Sequence, residues 1–147
     1  MTATTTFTAP AAGRTTTSTG TLTSTGTLWK AGTVAGAAAA IAAGAYAAIA
    51  EAVGVSLSVG GKAIPVIGFA QMTFVAAIVG TIIAVSLSLR AAQPRRTFLA
   101  TTFVLMFVSF VPDALADAHA VTKLTLALSH VVAAAIVIPA LASRLSD

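Results

Sequence analysis

Few side chains in this chain can do more than pack, and the ones that can are Glu51, Gln71, Asp113, Asp117, His119 and His130. Asp113, Asp117, His119 and His130 supply the carboxylate oxygens and imidazole nitrogens that a divalent metal accepts, although their spacing forms no compact motif such as His-Glu-x-x-His. Glu51, Asp113 and His130 supply a proton or cation relay, because imidazole changes charge near neutral pH and carboxylates beside it pass or hold the proton. A plainer alternative gives the same residues packing roles. In it Asp113 caps a broken helix or pairs with Lys123, His130 hydrogen-bonds across a bundle, and Glu51 reaches outward to an interface. Asp117 and His119 then sit solvated in a connecting loop. Ser109 and Ser129 carry hydroxyls but lack a glycine elbow or an ordered base. With no cysteine in the chain, disulfides, thiolate metal sites and thiol redox chemistry are excluded.

The elements that must hold these residues are four apolar stretches, 31–53, 66–89, 97–116 and 124–143. Each is near the ~20 residues that a helix needs to cross a ~30 Å hydrocarbon layer. Of the 147 residues 57% are hydrophobic and only 8% charged, whereas a soluble surface carries ~25% charged residues. The expected fold is therefore an all-α integral membrane protein, a bundle of four transmembrane helices. Six of the eight Lys and Arg (Arg14, Lys30, Arg90, Arg95, Arg96 and Arg144) fall in the N-terminal segment, the second loop or the C-terminus, and only Lys62 and Lys123 fall in the other two loops. Basic short loops stay cytoplasmic, so the chain is expected in the plasma membrane with both termini inside. This placement accounts for the net charge of +4 without nucleic acid, for which a patch with interleaved aromatics is missing.

Residues 1–28 form a segment of different character. Thirteen of them are Thr, Arg14 is their only charge, and Ser18-Thr-Gly-Thr-Leu22 recurs as Ser24-Thr-Gly-Thr-Leu28. No periodic apolar face exists there to bury, so a disordered cytoplasmic tail is expected, without the basic start and apolar core of a secretory signal. The four-helix domain then occupies 29–147, opened by the interfacial anchors Trp29 and Lys30. Span one is mostly Ala and Gly and inserts weakly by hydropathy, so packing must hold it. Gly32, Gly36, Ala40, Gly44 and Ala48 predict a small-residue stripe for close helix approach, and Ala76, Gly80, Ala84 and Ser88 a weaker one on span two. They serve either packing of helices one and two or a homo-oligomer interface.

Between those spans, Val55-Ser-Leu-Ser-Val59 and Lys62-Ala-Ile-Pro-Val66 alternate around Gly60-Gly61, the pattern of a short extracytoplasmic β-hairpin with a two-residue turn. Span three has about 15 apolar residues before Pro112, or ~22 Å of helix, so it must continue past the proline and carry Asp113 to the membrane's outer edge. Counting along each span places Glu51, Gln71, Asp113 and His130 in one outer leaflet. Ionisable groups at that depth usually face a bundle interior, which makes these four a candidate polar cluster.

Trp29-Lys-Ala-Gly32, Gly54-Val-Ser-Leu57, Ile64-Pro-Val-Ile-Gly-Phe-Ala-Gln71, Arg95-Arg-Thr-Phe98, Val111-Pro-Asp113 and His130-Val-Val-Ala-Ala-Ala-Ile-Val-Ile-Pro-Ala-Leu-Ala142 resemble a family of small four-span actinobacterial membrane proteins of unknown function. The resemblance covers roughly 29–145, implies the four-helix architecture and brings no activity, cofactor or catalytic residue with it. The chain is also similar to small multidrug exporters in its four short helices and an acidic residue in span one. Their glutamate is mid-membrane and Glu51 is at the outer end, so proton-coupled export does not transfer. The expectation is a non-enzymatic structural or accessory membrane component without a cofactor, whose partners are the lipid bilayer and another membrane protein or copy. A small oligomeric transporter or ion-handling protein built on the outer-leaflet cluster is the alternative, and a membrane-bound metal-dependent enzyme the third.

Overall fold

The computed structural model describes residues 24–147. Four long helices, α1 (Thr25–Ala52), α2 (Val66–Arg90), α3 (Pro94–Leu115) and α4 (Ala120–Ala142), follow in order, with the hairpin strands β1 (Ser58–Val59) and β2 (Lys62–Ala63) between the first two. All four helices are long and apolar enough to cross a membrane. Three begin earlier than the apolar stretches do, because helix continues wherever packing or backbone geometry supports it. Leu28 is fully buried and draws the first turn of α1 into the bundle, so Thr25–Leu28 belong to the helix and not to the tail. Residues 1–23 of the expected disordered tail lie outside the described residues. Pro94 occupies the first turn of α3, where its fixed φ suits a helix and its missing N–H has no intrahelical partner to lose. Thr122, buried in the first turn of α4, donates to the Ser56 carbonyl at 2.7 Å and ties that turn to the hairpin.

Helix α1 packs on α2 through a seam of small residues. Gly32, Ala35, Gly36, Ala39, Ala43, Ala47 and Ala50 are buried on α1, and Phe69, Ala77, Thr81 and Ala84 on α2. The approach is close enough that a methyl on Gly32 would collide with Thr81, and one on Gly36 would lie 2.9 Å from the Ala77 methyl. This corrects the predicted stripe. A four-residue repeat advances 400° per step and so drifts about 40° around a helix of 3.6 residues per turn. Gly32 and Gly36 therefore start in the seam, Ala40 and Gly44 lie at its margin, and Ala48 is exposed while Ala47 and Ala50 take the buried places. On α2 only Ala84 of the predicted stripe is buried, and Ala77 and Thr81 do the packing.

The end of the bundle where α1 begins and α4 ends is closed by Leu28, Phe98, Leu141, Ala142 and Leu145, all in one buried cluster. The Arg95 N–H donates to the Ser146 carbonyl at 3.2 Å and its guanidinium meets Asp147 at 3.0 Å, which fastens the start of α3 to the C-terminus. At the opposite end, Gly60 and Gly61 adopt φ of 56° and 75°, the left-handed pair that a tight two-residue turn between twisted strands requires. The ladder is shorter than predicted, with Val59 opposite Lys62 and Ser58 opposite Ala63, because Leu57 turns down into a cluster with Ala47, Ala50 and Phe69. The Gly60 N–H donates to the Asp117 carbonyl at 2.8 Å, so the hairpin lies against the α3–α4 loop.

Helix α3 is the least packed. Pro94 and Phe98, both at its start, are its only buried residues, and Phe103, Val104, Phe107, Val108, Val111 and Leu115 face outward. An apolar surface of this extent marks a face for contact with lipid or another protein. Between Phe98 and the Asp113 contact with α4, a cavity lies between α3, α2 and α4.

Candidate functional site

The helix of α3 continues through Pro112 as the length of its apolar run demands, and its last turn brings Asp113 to α4. There His130 Nδ1 lies 2.9 Å from the Leu126 carbonyl, one turn back along α4, and 3.2 Å from Asp113 Oδ2. A carbonyl oxygen only accepts hydrogen bonds, so this contact is a hydrogen bond when Nδ1 carries the ring proton, and in that tautomer Nε2 is a lone-pair acceptor. Phe110 fixes the ring plane from the side, edge-to-face at 6.3 Å and 88°. The Asp113 side chain is 13% exposed and the His130 side chain 40%. Asp113 Oδ2 is buried with no aligned hydrogen-bond donor, so its close approach to the imidazole is an electrostatic contact and not a hydrogen bond. A carboxylate in that position is costly to bury, and the His130 imidazole is the polar group that lies nearest to it. Lys123 is not the partner, because its ammonium donates to the Ala114 carbonyl at 2.8 Å and so caps the end of α3.

His130 also forms part of the wall of the cavity between α2, α3 and α4. The cavity holds about 710 Å³ and its surface is mainly aliphatic and aromatic, with Met72, Gly80, Phe98, Leu105, Met106 and Ala133 among its lining residues. The hydroxyls on that wall are mostly committed. Thr102 donates to its own helix at Phe98 (2.9 Å) and Leu99 (3.0 Å), Ser109 to Met106 (2.7 Å) and Ser129 to Leu126 (2.6 Å). Those three hydroxyls keep only acceptor lone pairs for a ligand, whereas the Thr73 hydroxyl has no hydrogen-bond partner among the described residues and His130 keeps its second ring nitrogen. A mostly apolar chamber with few placed polar groups is the usual form of a small-molecule site.

The expected cluster of Glu51, Gln71, Asp113 and His130 is thus half assembled. Depth along the helix was legible, but direction around it was not. Glu51 lies about 100° round α1 from Ala50, which is in the seam, and it is exposed. Gln71 is exposed on α2, away from both Phe69 on the seam and Met72 on the cavity wall. The four weak metal candidates are not gathered either. Asp117 and His119 are exposed in the α3–α4 connection, and among the described residues no group of three His, Asp or Glu is placed to hold an ion. Asp117 contributes its backbone carbonyl to the hairpin, and its carboxylate has no role in that contact. Ser129 and Ser109 bond to their own helices and not to His130. Sequence reasoning missed the cavity. Its one signal was the set of small residues on facing walls, Ala76 and Gly80 on α2 and Ala133 and Ala134 on α4, which leave room where larger side chains would fill it.

Residues 23–147 match a family described as a family of unknown function, DUF6069, and the chain belongs to that family. No curated protein and no solved structure matches it.

Proposed function

We propose that this DUF6069 protein is a four-span plasma-membrane protein without catalytic activity, an accessory component that holds a lipid-soluble molecule between α2, α3 and α4. The observation that carries this reading is a cavity of about 710 Å³ with an apolar wall and, at His130, an imidazole whose Nδ1 is already engaged. The occupant is an extended apolar molecule bearing one hydroxyl or similar donor, which meets the free Nε2 lone pair. The basic loops support cytoplasmic termini and an extracytoplasmic hairpin, and the quoted motifs support kinship with small four-span actinobacterial proteins. The bilayer is its first partner. The apolar outer face of α3 suits a membrane protein or second copy as another, and the distribution of basic residues gives no reason to add nucleic acid.

The experiment is photolabelling in nanodiscs with a long-chain alcohol that carries a diazirine. Adducts at Met106 and Ser109, on the cavity wall, should saturate and be competed by unlabelled alcohol, whereas adducts at Val104 and Phe107 should rise in proportion to probe. Ala133→Leu should remove the saturable part. Linear labelling at all four positions would overturn the reading. A second reading, proton handling, is favoured by one observation, the 3.2 Å approach of Asp113 to His130. It predicts a proton flux in proteoliposomes that Asp113→Asn abolishes, and no flux, or flux indifferent to that substitution, contradicts it.

A further inference from the structure

At the end of the bundle where α1 begins and α4 ends, a second cavity of about 550 Å³ lies between these two helices. Two cations line it, Lys30 from the start of α1 and Arg144 from just beyond α4, with the hydroxyl-bearing Thr27 and Ser143 beside them. Deeper along the two helices the lining turns apolar, through Val34, Ala38, Ile136 and Ala140. No carboxylate lines this cavity. Among the described residues the ion pairs are Arg95 with Asp147 and His130 with Asp113, so Lys30 and Arg144 meet no acid there.

We propose that this groove binds one anionic phospholipid, its phosphate between Lys30 and Arg144 and an acyl chain along Val34, Ala38 and Ile136. The inference rests on the membrane reading above. Two cations at a helix boundary over an apolar floor match a molecule with an anionic head joined to a hydrocarbon tail, and basic pockets between membrane helices suit such headgroups. A soluble anion would use the rim and leave the floor uncovered. The chain itself is a poor occupant. Residues 1–23 contain no Asp or Glu and carry Arg14. Glu51, Asp113 and Asp117 lie at the hairpin end, and Asp147 is held by Arg95, so a second copy has no acidic surface to offer this end.

Trp29, the only tryptophan, precedes Lys30 on α1 and is 40% exposed; it does not line the groove but lies close enough for brominated chains seated there to quench it at short range. The full chain would be reconstituted into phosphatidylcholine vesicles containing increasing fractions of either phosphatidylglycerol or phosphatidylcholine with brominated chains. Half-maximal quenching should come at a roughly tenfold lower fraction of the brominated phosphatidylglycerol. Lys30→Gln with Arg144→Gln should remove most of that preference. Arg90→Gln with Arg96→Gln, which takes two charges from the loop at the same end, should keep it. Equal quenching by the two lipids, or equal loss of preference in both double variants, would overturn the site in favour of none or of diffuse attraction. Inorganic phosphate that reverses the quenching, where sodium chloride at the same ionic strength does not, would assign the groove to a free anion and so also overturn the lipid. Stable reconstitution with no headgroup preference removes the site and leaves the membrane reading intact, whereas failure to enter either vesicle removes that reading.

Discussion

Between the Leu126 carbonyl at 2.9 Å and Asp113 Oδ2 at 3.2 Å, His130 Nδ1 has only acceptors for neighbours, so its tautomer is dictated by position. Imidazole-nitrogen NMR spectra in nanodiscs should show Nδ1 protonated and Nε2 bare in the neutral ring, and the same tautomer in Asp113→Asn, because the Leu126 carbonyl still needs a donor. A predominant Nε2–H ring would contradict the geometry. The pair should also be energetically coupled. Asp113→Asn and His130→Gln should miss additivity in thermal stability by about 0.5 kcal/mol or more, as residues in contact commonly do, and additive losses would mean that the approach is incidental. The pairing itself was legible from the sequence, because counting from each span's boundary puts Asp113 beyond Pro112 and His130 inside the facing end of α4. Glu51 and Gln71 sat at a similar depth and were misjudged, since a residue count gives depth well but leaves the angle round the helix to the packing of its neighbours.

Two glycines on the helices show how one residue type can serve opposite ends. Gly32 is buried where a methyl would strike Thr81, whose own hydroxyl is held by the Ala77 carbonyl at 2.8 Å and cannot turn away freely. Gly80, on the neighbouring helix, has nothing within 4 Å of the place a methyl would occupy. Gly32→Ala should therefore lower the stability of the bundle by about 1–3 kcal/mol through overpacking. Gly80→Ala should raise it by about 0.5–1 kcal/mol through the backbone alone. Thermal unfolding in detergent measures both, and two shifts of the same sign would contradict the seam. The small-residue content of α1 and α2 announced close packing, and the Gly60-Gly61 pair announced the turn between β1 and β2. The register of the seam did not follow, because a repeat of four drifts about 40° per step on a helix of 3.6, so the stripe is fully buried only at Gly32 and Gly36 and is out of contact by Ala48.

Over the whole molecule, four apolar helices joined by short connections were legible in hydropathy alone, and the chain's family affiliation adds no activity to them. The two cavities were not legible, because they depend on which faces of neighbouring helices meet and which stay apart. α3 touches the bundle at Phe98 and again at Asp113 with the cavity wall between them, and the second cavity lies between α1 and α4 beside Lys30 and Arg144. Both proposals assume hydrocarbon around the bundle, with the hairpin on one side of it and the termini on the other. The chain contains no cysteine, so single introduced thiols report that arrangement without background. Ala63, Asp117, Ala92 and Ser146 are all exposed, the first two near the hairpin end and the last two near the termini. In intact cells, a membrane-impermeant thiol reagent should label Ala63→Cys and Asp117→Cys and should reach Ala92→Cys and Ser146→Cys only after the membrane is permeabilised. Labelling of all four before permeabilisation, or of Ala92→Cys and Ser146→Cys in place of the other two, would contradict the four-span account with its termini inside.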